Sequence, residues 1–395
     1  MSELKQEHLV IIGSGIAGVA AAEAARKENP DLKISIVSSD QYLPYYRLRL
    51  AEVLAKPEQA DKLYLHDSDW YAERCINLIL DNSVAHLDPH AKKLTLQDGQ
   101  AMSYDKLIIA AGSHSRLPQI PGQDRPGAYT LWTLEDAKKM SEAIAQKGMK
   151  SCAVIGGGLL GLEASWQLHQ RGLEVTIIER GDHLMINQLN LEASELLEDY
   201  IDSLGIKLLK DADTASIDGP GEDGQMTGLS LKDGRKVECD AVLISIGVIA
   251  NTDFAKEAGL AIGRRIKVDR EMKTSAPDIF AAGDVCEVDE EGYWFGLWSI
   301  SMAQGKVAGT NAAGGFTTFD KVIPPYIVNT MGTRIVSQGH GMKDTDADYR
   351  QEVSKDPETH DYKGLAYQGD ALTGFVLIGK PAGEMVSLQK ELKNQ

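Results

Sequence analysis

The sequence HLVIIGSGIAG, residues 8–18, places a short apolar run directly before three glycines, Gly13, Gly15 and Gly18. An alanine-rich stretch and a second apolar run follow within residues 17–38. Apolar runs bounded by glycine are typical of buried parallel strands. At this spacing the first glycine permits a tight turn, the second lets the backbone approach a phosphate, and the third lets the helix pack on the strand. The segment therefore predicts a strand–turn–helix–strand unit with a phosphate-binding turn.

The same pattern recurs in SCAVIGGGLLG, residues 151–161, where the spaced glycines are Gly156, Gly158 and Gly161. A helical stretch and the run EVTIIE, residues 174–179, follow it. One such glycine motif is a weak signal, whereas two copies with the same flanking pattern are strong. We therefore predict an α/β fold with two Rossmann-like nucleotide-binding domains.

Each predicted turn places the first amides of a helix against phosphate groups, because these amides lack partners within the helix. A carboxylate that binds ribose hydroxyls is expected about 20 residues further on. Glu179 fits this position in the second unit, and its charge favours NADH over a cofactor with a 2′-phosphate. In the first unit Asp40 is the candidate, together with Ser39. The predicted phosphate ligands at the helix starts are Ile16, Ala17, Leu159 and Leu160.

Composition excludes several classes of protein. The net charge of −17 disfavours binding to nucleic acid or to anionic membranes. No apolar run reaches the length of a membrane span, and no signal peptide precedes the first strand, so we expect a cytoplasmic protein. The four cysteines are scattered without a CxxC motif, which argues against a zinc ribbon and against a disulfide-stapled module. We expect them to be buried and to act as small apolar residues.

Three further segments carry a resemblance to a known family. Residues 103–112 and 274–285 resemble the two short signatures of two-dinucleotide flavoproteins, and residues 44–47 resemble their proline–aromatic–arginine segment. The chain resembles the FAD-dependent pyridine nucleotide–disulfide oxidoreductase superfamily, and within it the branch of NADH:rubredoxin oxidoreductases. The resemblance implies FAD and NADH as cofactors. It adds Arg47, Val84, Ala111, Gly112, Glu163, Asp284 and Trp298 to the expected FAD site, and Gly247 to the expected NAD site.

The resemblance also implies a domain plan. Residues 1–117 and 247–317 would form a discontinuous FAD-binding domain, and residues 118–246 an NAD-binding domain. Residues 318–395 would form a small C-terminal α+β domain, which leaves a homodimer open.

The expected activity follows from the redox cysteines that the family pattern includes and this chain lacks. Disulfide reductases of this superfamily carry a cysteine pair, or one cysteine, in the stretch that corresponds to residues 42–54, which contains no cysteine. The expected reaction passes hydride from NADH to FAD and then single electrons to an external carrier, most simply rubredoxin or a similar small iron–sulfur protein. Two alternatives stay open: a reductase for a 2Fe–2S ferredoxin, and a binding and signalling protein similar to apoptosis-inducing factor.

One departure concerns the flavin environment. Oxygenase-coupled relatives carry a lysine after the arginine segment that pairs with a glutamate near the flavin, and this chain has no such lysine. The candidate catalytic residues are therefore Arg49 and Glu163. We expect that Arg47 or Arg49 supplies the positive charge and pairs with Glu163.

Overall fold

The computed structural model describes residues 6–220, 224–289, 292–342 and 348–393. The chain forms two compact units, each built from three separate chain segments. The first unit comprises residues 1–49, 61–114 and 248–322, and the second comprises residues 50–60, 115–247 and 323–395. The three-domain plan and its boundaries stay a prediction.

The first unit is a parallel sheet with helices and a small antiparallel meander. Its helices are α1 (Ile16–Glu28), α3 (Ser68–Glu73), α7 (Asp253–Glu257) and α8 (Trp298–Ala312). Its strands are β1 (His8–Ile12), β2 (Lys33–Val37), β3 (Ile76–Ile79), β4 (Val84–Asp88), β5 (Lys93–Leu96), β6 (Ala101–Ser103), β7 (Lys106–Ile109), β17 (Val248–Ala250), β18 (Ile266–Val268), β19 (Ile279–Ala281) and β20 (Cys286–Val288). The strand β8 (Ser113–Ser115) pairs with β17 where the chain leaves the unit.

The five-stranded sheet of this unit has the order β19-β7-β1-β2-β3, and β4-β5-β6 form the meander. All pairs of the five-stranded sheet are parallel, with His8 opposite Lys33. The helices α1 and α8 lie very close, because a Cβ at Gly305 would be 2.2 Å from the Ala17 carbonyl oxygen. This contact fixes both helices where the first phosphate turn begins.

The second unit repeats the parallel architecture and adds an antiparallel sheet. Its helices are α2 (Glu52–Ala55), α4 (Leu134–Lys147), α5 (Leu159–Gln170), α6 (Leu191–Ser203) and α9 (Met385–Lys393). Its strands are β9 (Ala128–Thr130), β10 (Ser151–Ile155), β11 (Glu174–Ile178), β12 (Lys207–Leu209), β13 (Thr214–Asp218), β14 (Gly228–Leu231), β15 (Lys236–Glu238), β16 (Ala241–Ile244), β21 (Tyr326–Thr330), β22 (Thr333–Gly339), β23 (Arg350–Asp356), β24 (Asp361–Gln368) and β25 (Ala371–Ile378).

The parallel sheet of the second unit has the order β12-β11-β10-β16-β9, and the C-terminal sheet has the order β21-β22-β25-β24-β23. Both predicted strand–turn–helix–strand units are confirmed: α1 and β2 follow the first turn, and α5 and β11 follow the second. The fold is thus α/β with two Rossmann-like sheets. No helix in the described part of the chain is long and apolar enough to span a bilayer.

Candidate functional site

The first phosphate turn leaves space in front of α1. The predicted ligands Ile16 and Ala17 are the first residues of this helix. Gly13 has φ +107°, and a Cβ there would lie 2.1 Å from the Ala110 carbonyl oxygen. A Cβ at Gly18 would lie 2.0 Å from the Gly13 carbonyl oxygen, whereas a Cβ at Gly15 would meet nothing within 4 Å. Gly13 and Gly18 are thus required by protein packing, and Gly15 keeps the backbone open to a ligand.

The second turn has the same division of roles. A Cβ at Gly156 would lie 2.2 Å from the Ser245 carbonyl oxygen, and one at Gly161 would lie 2.0 Å from the Gly156 carbonyl oxygen. A Cβ at Gly158 would meet nothing within 4 Å. The predicted ligands of this turn, Leu159 and Leu160, are the first residues of α5. Two open positions, each at the N-terminus of a long helix, fit two pyrophosphate groups.

Glu179 follows β11, and its carboxylate accepts two backbone hydrogen bonds. Its Oε2 accepts from the Gly157 amide at 2.7 Å, and its Oε1 accepts from the Gly181 amide at 2.6 Å. A carboxylate has about four acceptor positions, so ribose hydroxyls can bind in addition. The bonds hold the carboxylate beside the second turn, where the sequence predicts the ribose ligand.

Asp40 belongs to a network at the end of β2. Its Oδ2 accepts a hydrogen bond from the Tyr45 hydroxyl at 2.7 Å, and its Oδ1 accepts from the Tyr42 amide at 3.2 Å. The Ser38 hydroxyl contacts the Ser14 hydroxyl at 2.7 Å, which links the end of β2 to the first turn. Ser39 is exposed next to this network. The structure therefore orients Asp40 and leaves Ser39 accessible.

Asp284 lies in a turn after β19, where hydrogen bonds hold its carboxylate in place. Its carboxylate accepts hydrogen bonds from the Ser113 hydroxyl at 3.1 Å and the Ser301 hydroxyl at 3.5 Å. The Gly283 amide donates to Gln304 Oε1 at 2.9 Å, and Gln304 Nε2 is buried without a hydrogen-bond partner. A buried donor without a partner is costly, so this atom fits a site that a ligand completes.

Arg265 supports this turn and was not found from the sequence. It is 8% exposed, its Nη1 donates to the Asp284 carbonyl oxygen, and its Cζ lies 3.5 Å from the centre of the Trp294 ring. Burial lowers the pKa of the Arg265 guanidinium. The sequence carries no signal for this contact, because two strands, β18 and β19, and the loop between them separate Arg265 from Asp284. Ser113 was also missed, although it directly follows the predicted ligand Gly112.

The remaining predicted FAD residues are spread over the first unit. Arg47 begins a short 3-10 helix, with its Cζ 5.5 Å from the Tyr45 ring centre. Val84 begins β4, and Ala111 and Gly112 follow β7, where the Asn251 side-chain amide donates to the Ala111 carbonyl oxygen at 2.7 Å. Trp298 is the first residue of α8. Their contacts with FAD stay a prediction.

The candidate Glu163 and the predicted Gly247 lie in the second unit. Gly247 has φ +102°, and its carbonyl oxygen accepts from the Arg116 amide at 2.9 Å. Glu163 is on α5, which packs against α2. Burial of the Glu163 carboxyl group, and next the charge of Glu52, raise its pKa from 4.5 to about 7. The pairing of Arg47 or Arg49 with Glu163 stays a prediction.

The cysteines form no redox centre. All four are free, and burial raises the pKa of the Cys152 and Cys286 thiols. The expectation that all four are buried is wrong for Cys75, which is exposed after α3. Among the described residues, no group of three or more His, Cys, Asp or Glu side chains could hold a metal ion.

Comparison with known proteins gives consistent matches. Residues 7–305 match the family described as pyridine nucleotide-disulphide oxidoreductase. The chain is 33% identical over 336 residues to the NADH-rubredoxin oxidoreductase of Clostridium acetobutylicum, which covers 85% of this chain and 82% of that protein. It is also 33% identical over 278 residues to the benzene 1,2-dioxygenase system ferredoxin–NAD(+) reductase subunit of Pseudomonas putida, covering 70% of this chain and 67% of that protein.

Among solved structures, the crystal structure of NADH:rubredoxin oxidoreductase from Clostridium acetobutylicum has a TM-score of 0.82 and 30% identity. The match covers 99% of this chain and 96% of the solved chain.

Proposed function

Because this chain belongs to the pyridine nucleotide-disulphide oxidoreductase family, we propose that it oxidises NADH and reduces an external one-electron carrier through bound FAD. Rubredoxin is the first candidate for the carrier. The observation that carries this proposal is the pair of phosphate turns, each with one open glycine in front of a helix N-terminus. The hydrogen-bonded carboxylate of Asp284 supports the assignment of the first phosphate turn to FAD.

The residues of the first unit would hold FAD. Gly15 and the first amides of α1 would bind its pyrophosphate, and Asp40 its ribose. Asp284, oriented by Ser113 and Ser301, would accept hydrogen bonds from the ribityl chain. When bound, FAD supplies the redox chemistry by accepting a hydride and releasing electrons one at a time.

The residues of the second unit would hold NADH. Gly158 and the first amides of α5 would bind the pyrophosphate, and Glu179 would accept the ribose hydroxyls. The charge of Glu179 would repel the 2′-phosphate of NADPH. Glu163 would hold a proton on its carboxyl group near neutral pH, because its pKa is about 7.

The second half of the reaction needs an external acceptor. No cysteine lies in residues 42–54, and the four cysteines are free. The similarity to the rubredoxin reductase supports rubredoxin, and an equal identity to the ferredoxin reductase subunit supports a 2Fe–2S ferredoxin as the second candidate. A homodimer finds no support in these comparisons, and a cytoplasmic location stays a prediction.

Anaerobic stopped-flow spectroscopy tests the proposal. The FAD-loaded protein is reduced with one equivalent of NADH and then mixed with oxidised rubredoxin, and the visible bands of the flavin and of the iron centre are followed together. We expect fast flavin reduction, then fast bleaching of rubredoxin. Bleaching of a 2Fe–2S ferredoxin but not of rubredoxin would transfer the assignment to the second candidate. Slow flavin reduction by NADH would overturn the electron-transfer proposal and favour a binding and signalling role.

A further inference from the structure

One carboxylate of the second unit is nearly buried, although it is not among the predicted cofactor ligands. The side chain of Glu198, on α6, is 10% exposed. Its Oε1 accepts hydrogen bonds from the Ser194 hydroxyl at 2.9 Å and from the Leu184 amide at 3.3 Å. Its Oε2 lies 2.6 Å from Lys210 Nζ. Burying an ionised carboxylate is costly unless it is paired and hydrogen-bonded, and these three contacts meet that requirement.

The contacts of Glu198 Oε1 lead to the second phosphate turn. Leu184 is fully buried, and its Cδ2 would lie 2.3 Å from a Cβ at Gly157. The next amide, that of Met185, donates to the Gly157 carbonyl oxygen at 3.0 Å. The Gly157 amide in turn donates to Glu179 Oε2 at 2.7 Å. Through Leu184, Glu198 therefore fixes the glycine that orients the Glu179 carboxylate.

The contact of Glu198 Oε2 leads to the backbone of Glu179. The partner of this oxygen, Lys210, directly follows β12. The residue before the lysine holds the start of the loop, because the Glu179 amide donates to the Leu209 carbonyl oxygen at 2.8 Å. The residue after it does the same, because the Asp211 amide donates to the carbonyl oxygen of residue 181 at 3.1 Å. The ion pair thus joins α6 to the strand end that holds the Glu179 backbone.

We propose that Glu198 is a positioning residue for NADH binding, because it holds the Glu179 carboxylate in the orientation that receives the ribose hydroxyls. This inference rests on the proposed function and deepens its NADH site. The structure describes every residue of the segment 179–190, which forms no helix or strand, so side-chain contacts have to position it. Glu198 is enclosed by protein contacts and acts through Glu179. A ligand group that is fixed before binding loses less conformational entropy when the cofactor arrives.

The test compares cofactor binding by three variants of the FAD-loaded protein. Glu198→Ala removes all three contacts of the carboxylate. Ser194→Ala removes only the hydroxyl that donates to Glu198 and accepts from the Leu184 amide, so it carries the test if Glu198→Ala does not fold. Glu195→Gln is the matched control, because Glu195 is exposed on the same helix. Isothermal titration calorimetry measures the dissociation constant of NAD⁺, and anaerobic stopped-flow spectroscopy measures flavin reduction over a series of NADH concentrations.

We expect Glu198→Ala to raise the dissociation constant of NAD⁺ and the NADH concentration at half-maximal rate by about tenfold. Ser194→Ala should raise both in the same direction by a smaller factor. The limiting rate of flavin reduction at saturating NADH should match that of the wild type, because the network supports the ribose ligand and not the reacting atoms. Glu195→Gln should match the wild type in both measurements.

A double variant separates positioning of Glu179 from a general weakening of the second unit. Combined with Glu179→Ala, Glu198→Ala should weaken NAD⁺ binding no further than Glu179→Ala alone, because the group that Glu198 positions is already missing. If Glu198→Ala does not fold, Ser194→Ala replaces it in this comparison.

Two results would overturn the positioning role and leave the proposed function intact. One is a double variant that binds NAD⁺ about tenfold more weakly than Glu179→Ala. The other is wild-type NAD⁺ binding by both Glu198→Ala and Ser194→Ala. A wild-type protein that neither binds NAD⁺ nor is reduced by NADH would instead overturn the proposed function, and the positioning role with it.

Discussion

Replacing Glu163 by glutamine should remove a pH-dependent loss of stability from the second unit. The Glu163 carboxyl group has a pKa of about 7, raised from 4.5 by burial and then by the charge of Glu52. Both residues lie on helices that pack together, α2 and α5. The position of α2 is fixed in turn by Arg171, whose Nη1 donates to the Leu54 carbonyl oxygen at 2.5 Å.

The direction of the pH dependence follows from whether the folded or the unfolded state keeps the proton on Glu163. Below pH 4.5 the carboxyl group is protonated in the folded and unfolded states alike, and it has no effect on the pH dependence. Between 4.5 and about 7 only the folded state keeps the proton, so stability falls as the pH rises. Above about 7 both states are ionised and the loss is complete. The interval spans 2.5 pH units at about 1.4 kcal/mol each, which gives about 3.5 kcal/mol over the whole transition, of which about 3 kcal/mol falls above pH 4.5.

Urea unfolding measured at a series of pH values, with FAD in constant excess, checks this prediction. The difference in free energy of unfolding between Glu163→Gln and wild type should rise by about 3 kcal/mol from about pH 4.5 to about pH 8. The new amide can also change the free energy of unfolding by an amount that is the same at every pH, and this constant amount does not affect the predicted rise. Glu52→Gln should move the midpoint of the wild-type profile to lower pH, because it removes the neighbouring charge.

Glu142→Gln on α4 is the control, since its side chain is already exposed to water in the folded state. Its difference from wild type should stay nearly constant with pH. A constant difference for Glu163→Gln as well would refute the reasoning. A profile whose midpoint falls below about pH 5 would do the same, and would favour an ion pair of Glu163 with a cation such as Arg47 or Arg49.

The other predictions concern the cofactor turns and the thiols. Gly18→Ala should prevent stable packing of α1 and abolish FAD binding, because the new Cβ would lie 2.0 Å from a backbone oxygen. Gly15→Ala should fold and lose only FAD affinity. Circular dichroism reports folding and equilibrium dialysis reports FAD binding, so the two measurements distinguish these outcomes. Glu179→Gln should raise KM for NADH about tenfold, because it removes the charge that would accept hydrogen bonds from the ribose hydroxyls. It should also reduce the preference for NADH over NADPH. Steady-state kinetics with both cofactors measure this preference, and an unchanged value would contradict the prediction. A variant with all four cysteines replaced by alanine or serine should oxidise NADH at the wild-type rate when the carrier is present. Alkylation of the folded wild type should label Cys75 alone, which mass spectrometry can determine.

Much of the fold could be predicted from local patterns. The glycine spacing at residues 13–18 and 156–161 determines two turns, because a side chain at the outer glycines would collide with backbone atoms. The apolar runs before and after each turn indicate buried parallel strands, and the observed strands β1, β2, β10 and β11 lie there. These features depend on neighbours in the chain, so residue type and spacing are sufficient to predict them.

Other features depend on contacts between residues far apart in the chain. The Ser113 hydroxyl reaches the Asp284 carboxylate, and Tyr46 stacks on Trp298, only because the sheet and α8 bring these segments together. Glu163 has a raised pKa because α2 is packed beside α5. The exposure of Cys75 likewise follows from the end of α3 and not from its residue type.

The sequence alone therefore predicted the two nucleotide-binding units and their phosphate turns, because short-range sterics and hydrophobic periodicity determine them. The electrostatic environment of Glu163, the hydrogen bonds that orient Asp284 and the stacking of Tyr46 on Trp298 required the packed structure. Burial and charge proximity are properties of the assembled fold, and residues more than 100 positions apart contribute to them.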